Sequence, residues 1–157
     1  KPDLDTLIIY ELHVDDFSAI GNGAGTFQHV LEKLNYLKNL GINAIELMPI
    51  SEFPGIHSWG YDPQIISAIN GNYGTPTQFK YFVDQCHANG IAVIIDIIWN
   101  HIRSSSPLWK MQPDYNLNPY IKHHEEMNQN EAPGSWGMLD IDHFNSYTIE
   151  YINKVEI

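Results

Sequence analysis

The segment from Gly90 to His101, GIAVIIDIIWNH, constrains the fold of this chain more than any other. Ile or Val fills six of the eight positions from Ile91 to Ile98, a glycine precedes the run, and the polar Asn100 and His101 close it. The β-branched enrichment, short length and flanking glycine point to a strand buried on both faces, although a buried helix carries a similar apolar run. Such strands belong to parallel sheets, whose chemistry gathers where the strands end at their carboxyl side. Asp96, Asn100 and His101 are therefore expected at or just beyond the floor of a pocket. An ionised carboxylate inside a buried strand requires a partner, so Asp96 is expected to have one.

The same pattern recurs upstream. Thr6 to His13 reads as a first strand that turns polar at His13, Asp15 and Asp16. After the loop GNGAGT, Phe27, Val30, Leu31, Leu34, Leu37 and Leu40 place one apolar stripe on a helix that Gly41 ends. Ala44 to Ile50 reads as a second strand, followed by a long aromatic loop from Glu52 to Asn72, and ordered loops of that length are commonly binding surface. Thr75 as N-cap, Pro76 at the first helical position and Gln78 three residues past the cap form a capping box. The helix it opens buries Phe79, Phe82, Val83 and Cys86 and ends at Gly90. Beyond His101 a polar segment runs from Arg103 to about Gly134, and a last helix starts near Asn145 or Ser146. The fold class is α/β, in the order strand, helix, strand, helix, strand, loop, helix. An open doubly wound sheet and an eight-stranded barrel share that order. A barrel of about 250 residues would take its first three β/α units from these residues.

Charge and composition narrow the partners. Eight basic against 19 acidic side chains give a net charge of -11, which repels a phosphate backbone and an anionic membrane surface. Neither nucleic acid nor membrane is an expected partner; neutral or cationic ligands fit better. No apolar run reaches membrane-span length, and the opening KPDLDT lacks the regions of a secretory signal, which says little if the chain is a fragment. The lone Cys86 excludes an internal disulfide and reads as an inert buried thiol. Gly21 to Gly25 invites a dinucleotide-binding reading, but Thr26 stands where the fingerprint needs a small residue and seven residues, Val14 to Ile20, separate the loop from its strand. A surface loop is the better reading. HHEE at 123–126 is likewise read as solvated loop, since four adjacent side chains cannot all face one ion.

TLIIYELHVDDFS, GINAIELMPISEFPG, HSWGYDP and YGTPTQFKYFVDQCHANGIAVIIDIIWNH, in that order and spacing, resemble the opening of the catalytic barrel of the alpha-amylase superfamily, glycoside hydrolase family thirteen. Within it the wording is most similar to 1,4-alpha-glucan branching enzymes and related bacterial amylase-like proteins. The resemblance implies a partial (β/α)8 TIM barrel with its site at the carboxyl ends of the strands, and an alpha-glucan oligosaccharide or polysaccharide as ligand. It implies that Asp96 supports the site by holding an arginine beside the nucleophile. His101 would hydrogen-bond the sugar on the non-reducing side of the scissile bond, and Tyr61 would stack on that sugar. An aromatic ring covers the apolar face of a pyranose, while the hydroxyls need fixed donors and acceptors. Trp59 and Trp136 are further candidate platforms or, equally, hydrophobic anchors; Asp62 is read as bracing the loop. In calcium-dependent amylases the asparagine matching Asn100 is a ligand, and MLDID at 138–142 resembles the motif that offers a second, here Asp140. Branching-type relatives usually lack that site, so no cofactor is required. The alternative is that Asn100 caps the strand end and Asp140 begins a turn.

The family's nucleophile and acid come from the fourth and fifth strands, with carboxyl groups about 5 Å apart in this retaining chemistry. No glutamate here, including Glu11, Glu46 and Glu52, matches either position. The expectation is an N-terminal portion, residues 1–157, truncated before those strands, inactive in isolation and dependent on the rest of the barrel. Branching-type members would be cytoplasmic and amylase-type members secreted. A carbohydrate-binding or structural homologue without catalysis is the alternative.

Overall fold

The computed structural model describes residues 2–21, 23–123 and 138–155, and the chain divides into two compact units. The first comprises 1–50, 55–59 and 69–97; the second comprises 51–54, 60–68 and 98–157.

In the first unit, strands β1 (Ile9–Leu12), β2 (Ala44–Leu47) and β5 (Ala92–Ile95) form one parallel sheet in the order β1-β2-β5. The register aligns Ile9 with Ala44 and Ala44 with Ala92. Helices α1 (Val14–Ser18), α2 (Phe27–Glu32), α3 (Leu34–Leu40) and α4 (Pro76–Ala88) fill the connections. Central β2 is the buried strand: Ala44, Ile45 and Leu47 are wholly inaccessible. Phe27 of α2 meets Phe79 and Phe82 of α4 and Tyr73, with centroids 5.1 to 6.1 Å apart, so one aromatic cluster locks the two helices together.

Several expected boundaries shift for identifiable reasons. β1 starts at Ile9 rather than Thr6 because the Asn43 side chain takes the ladder's place, accepting from the Ile8 N–H at 2.7 Å and donating to the Thr6 carbonyl at 2.8 Å. The expected helix from Phe27 to Leu40 breaks at Lys33, whose ammonium reaches back to the Phe17 carbonyl. Gly41 closes α3 in the left-handed conformation, φ 90°, as its placement suggested. The capping box of α4 is complete, Thr75 and Gln78 each bonding the other's backbone N–H. Residues Val14 to Ser18, between the first strand and the glycine loop, form α1. The expectation of a pivotal strand buried on both faces is corrected: Ile91 is buried, but every residue of β5 is partly exposed. β5 lies at the edge of its sheet, so its backbone has a partner on one side only.

The second unit holds two small sheets that sequence patterning placed in loops. β3 (Ser51–Glu52) pairs with β4 (Ile65–Ile69), and β6 (His101–Arg103) pairs antiparallel with β7 (Met138–Asp140). Strands of two to five residues are too short to show a clear periodicity in the sequence. Ile102, Ile121, Leu139 and Ile141 form the core of the β6–β7 pair. Buried Asn118 folds the segment between them: its amide donates to the carbonyls of Leu108, in the short helix α5 (Pro107–Lys110), and of Gln112, and its oxygen accepts from Tyr120 N–H. The last helix, α6 (Ser146–Lys154), begins where expected, with Asn145 as its cap. His124 to Glu126 of the HHEE run, and Trp136, lie outside the described residues.

Candidate functional site

In the second unit β6 acts as a clamp on the SWGYDP loop. Successive strand residues point to opposite faces, so His101 and Arg103 share one face and Ile102, fully buried, takes the other. The His101 Nε2–H donates to the Tyr61 carbonyl at 2.7 Å. Arg103 donates from Nε and Nη2 to one Asp62 carboxylate oxygen, at 3.1 and 2.6 Å, and its backbone N–H bonds the Pro63 carbonyl at 2.9 Å. Three consecutive loop residues are thus fixed by two strand residues. Asp62 does brace the loop, and Arg103 is the bracing partner that sequence reasoning left in a featureless polar segment. The signal available was the polar–apolar–polar alternation of His101, Ile102 and Arg103.

Asn100 and His101 are brought together. The Asn100 side-chain amide lies 2.8 Å from His101 Nδ1, so both ring nitrogens are engaged, one by Asn100 and one by the Tyr61 carbonyl. Asn100 itself is exposed, and its carbonyl accepts from Ile141 N–H. Tyr61 is half-buried. Asp140 stands opposite His101 in the β6–β7 register, and its carboxylate is paired with the Lys122 ammonium. That pair bears on calcium. The ion asks for six to eight oxygen ligands, whereas here an ammonium already neutralises Asp140 and the Asn100 amide is turned to a ring nitrogen. Among the described residues no three His, Cys, Asp or Glu side chains cluster as a metal site.

The first unit holds the other two predicted residues. Asp96 extends the β5 ladder, its N–H donating to the Leu47 carbonyl at 2.9 Å, and is half-buried. Trp59 is 67% exposed, on the rim of a cleft of about 390 Å³ lined also by His13, Asp15, Asp16, His57 and Ser58. His13 caps α1 through Nδ1, and its Nε2 lies 2.8 Å from the Ser58 carbonyl and 2.9 Å from the Tyr73 hydroxyl. Buried Asp15 accepts from Gly25 N–H at 2.6 Å and pairs with His57 Nδ1 at 2.8 Å. Burial pushes the Asp15 carboxyl up, but the Gly25 N–H, the bond and charge of His57 and the charge of His13 together hold it below its ordinary value. The glycine loop therefore spends an N–H on a carboxylate, the reverse of what a phosphate cradle needs.

A parallel sheet built strand after strand, with loops at its carboxyl ends carrying aromatic, imidazole and carboxylate groups, defines an α/β protein with a loop-borne site. The chain belongs to the alpha-amylase family: the profile of the alpha amylase catalytic domain matches residues 13–148. It is 40% identical over 141 residues to the malto-oligosyltrehalose trehalohydrolase of Arthrobacter ramosus, covering 89% of this chain and 22% of that protein. It is 42% identical over 104 residues to the 1,4-alpha-glucan branching enzyme GlgB of Aliivibrio fischeri, covering 65% and 14%. The structure of a putative alpha amylase from Salmonella typhimurium superposes with a TM-score of 0.80 at 32% identity, over 97% of this chain and 23% of that one. The trehalohydrolases are matched over no more than 24% of their length. Strand order alone left two architectures open; the barrel neighbours decide for three β/α units of a (β/α)8 fold over the doubly wound sheet.

Proposed function

We propose that this chain is the substrate-binding portion of a retaining enzyme acting on alpha-glucans, a glycosidase or glucanotransferase of the amylase or branching type. The nucleophile and acid/base carboxylates are assigned to the parent polypeptide outside these 157 residues, and the chain alone is expected to be inactive. The observation that carries this reading is the clamp of His101 and Arg103 on Tyr61, Asp62 and Pro63, within the span matched by the family profile. It fixes the backbone of Tyr61 to the imidazole of His101, so the residue that offers a ring for a sugar's apolar face and the one that offers a nitrogen for its hydroxyls are anchored together. Of the two His101 bonds, the one from exposed Asn100 is open to exchange: a sugar hydroxyl can donate to Nδ1 in its place while Nε2 keeps hold of the loop. Asp96 supports the site by holding an arginine supplied by the rest of the barrel. No divalent cation is needed, because the Lys122 ammonium already balances Asp140.

In the complete protein, His101→Ala should lower kcat/KM on a soluble alpha-glucan by about tenfold to a hundredfold, the worth of one to two hydrogen bonds in the transition state. The thermal midpoint should move far less. An unchanged kcat/KM would refute the assignment, and glucan turnover by the isolated chain would refute the placement of the carboxylates elsewhere.

A further inference from the structure

We propose that the cleft between α1 and residues 57–59 is a second sugar site. It takes a neutral glucosyl unit with its apolar face on the Trp59 indole and turns away phosphorylated sugars. The inference rests on the alpha-glucan reading and adds to it a further group of residues that holds the ligand.

The first argument is that Trp59 is exposed without being loose. Its neighbours are pinned: Ser58 through its carbonyl to His13, His57 through its ring to buried Asp15, and Gly55 through its carbonyl to the Asn72 amide at 3.0 Å. A hydrophobic anchor would be buried by such a loop, whereas this one holds the indole 67% in solvent. A rigid, hydrated aromatic face beside a cleft loses unfavourable hydration when the C–H face of a pyranose covers it, and little ordering entropy opposes the binding.

The second argument comes from the polar wall. Asp15 has both oxygens engaged, by Gly25 and His57. The Asp16 carboxylate lies 3.2 Å from His13 Nδ1 through Oδ2, yet its side chain is 69% exposed, which makes it the wall's solvent-facing acceptor for sugar hydroxyls. The lining contains two carboxylates and neither lysine nor arginine, and its two imidazoles are already engaged, His57 by Asp15 and His13 by Ser58, Tyr73 and the Asp16 N–H, so a phosphate would meet the carboxylates with no uncommitted cation beside them.

The test is calorimetric titration of the complete protein with a thio-linked, hydrolysis-resistant maltotriose and, separately, with glucose 6-phosphate. The maltotriose should show two classes of site and glucose 6-phosphate none. Trp59→Ala should weaken one class about tenfold, Trp59→Tyr should largely keep it, and His101→Ala should affect only the other. Asp16→Asn should retain the sugar and admit the phosphosugar. A single class insensitive to Trp59→Ala but lost in His101→Ala would overturn the inference and leave the functional reading standing. A single class weakened by both variants would assign Trp59 to the His101 site and equally overturn a second one. Absence of any binding together with absence of glucan turnover would sink both. Continued exclusion of glucose 6-phosphate by Asp16→Asn would overturn the charge argument.

Discussion

Gly25→Ala is the substitution for which the structure gives the most definite expectation. A Cβ at this position would sit 2.5 Å from the Ser18 hydroxyl, 2.5 Å from the Val14 carbonyl and 2.7 Å from the Asp15 carbonyl. Two of the three obstacles are backbone of α1, so no side-chain rotation relieves the clash; helix and loop must part. Such overpacking costs about 1 to 3 kcal/mol. Parting them also lengthens the bond from Gly25 N–H to the buried Asp15 carboxylate, a charge-assisted interaction worth about 1.5 to 3 kcal/mol. The stiffer unfolded chain returns roughly 0.4 to 1 kcal/mol. The net expectation is a destabilisation of about 2 to 5 kcal/mol, read as a lowered urea midpoint with an unchanged slope in the complete protein. A loss below about 0.5 kcal/mol would show that the loop relaxes freely and that the contact with Asp15 holds nothing together. The pH dependence supplies an independent check. The Asp15 carboxyl lies below its ordinary value of 3.8 when folded, so its contribution is present above that value and is lost as pH falls through the lower folded value. Gly25→Ala weakens one of the bonds that hold it down, and the acid loss of stability attributable to Asp15 should shrink accordingly. Asp15→Asn should abolish that part of the slope.

Two further outcomes are expected. A double-mutant cycle on Asp62→Asn and Arg103→Met should give a coupling of about 1 to 2 kcal/mol, between the values for exposed and fully buried pairs, because the side chains are 13% and 37% exposed; strict additivity would remove the clamp as an energetic unit. Burial pushes the Cys86 thiol up to about 12, so iodoacetamide at pH 8 should label it only at the rate of unfolding, and rapid labelling of the native protein would contradict its burial on the inner face of α4.

The sequence by itself determined the elements with a long period or a chemical signature. The capping box at Thr75 to Gln78, the Gly41 stop, the Asn145 start and the parallel β/α order all follow from local rules, since propensity, capping and apolar spacing act within a few residues. Motif wording supplied the family and pointed to Tyr61, Asp96, Asn100 and His101 as candidates. Only the tertiary structure decided what those residues hold. That β6 is a strand at all depends on pairing with β7, more than thirty positions away, and no local pattern in three residues encodes a partner at that distance. The Arg103 grip on Asp62, the Lys122 pairing with Asp140 and the Asp15–Gly25 contact join residues across 10 to 41 positions of chain. Trp59 makes the same point: its composition allowed either an anchor or a platform, and the pinned backbone on either side of a cleft chose the exposed indole. Charge pairing and exposure are properties of proximity in space, and the chain acquires them only when its separated segments are brought together by burying the apolar ones.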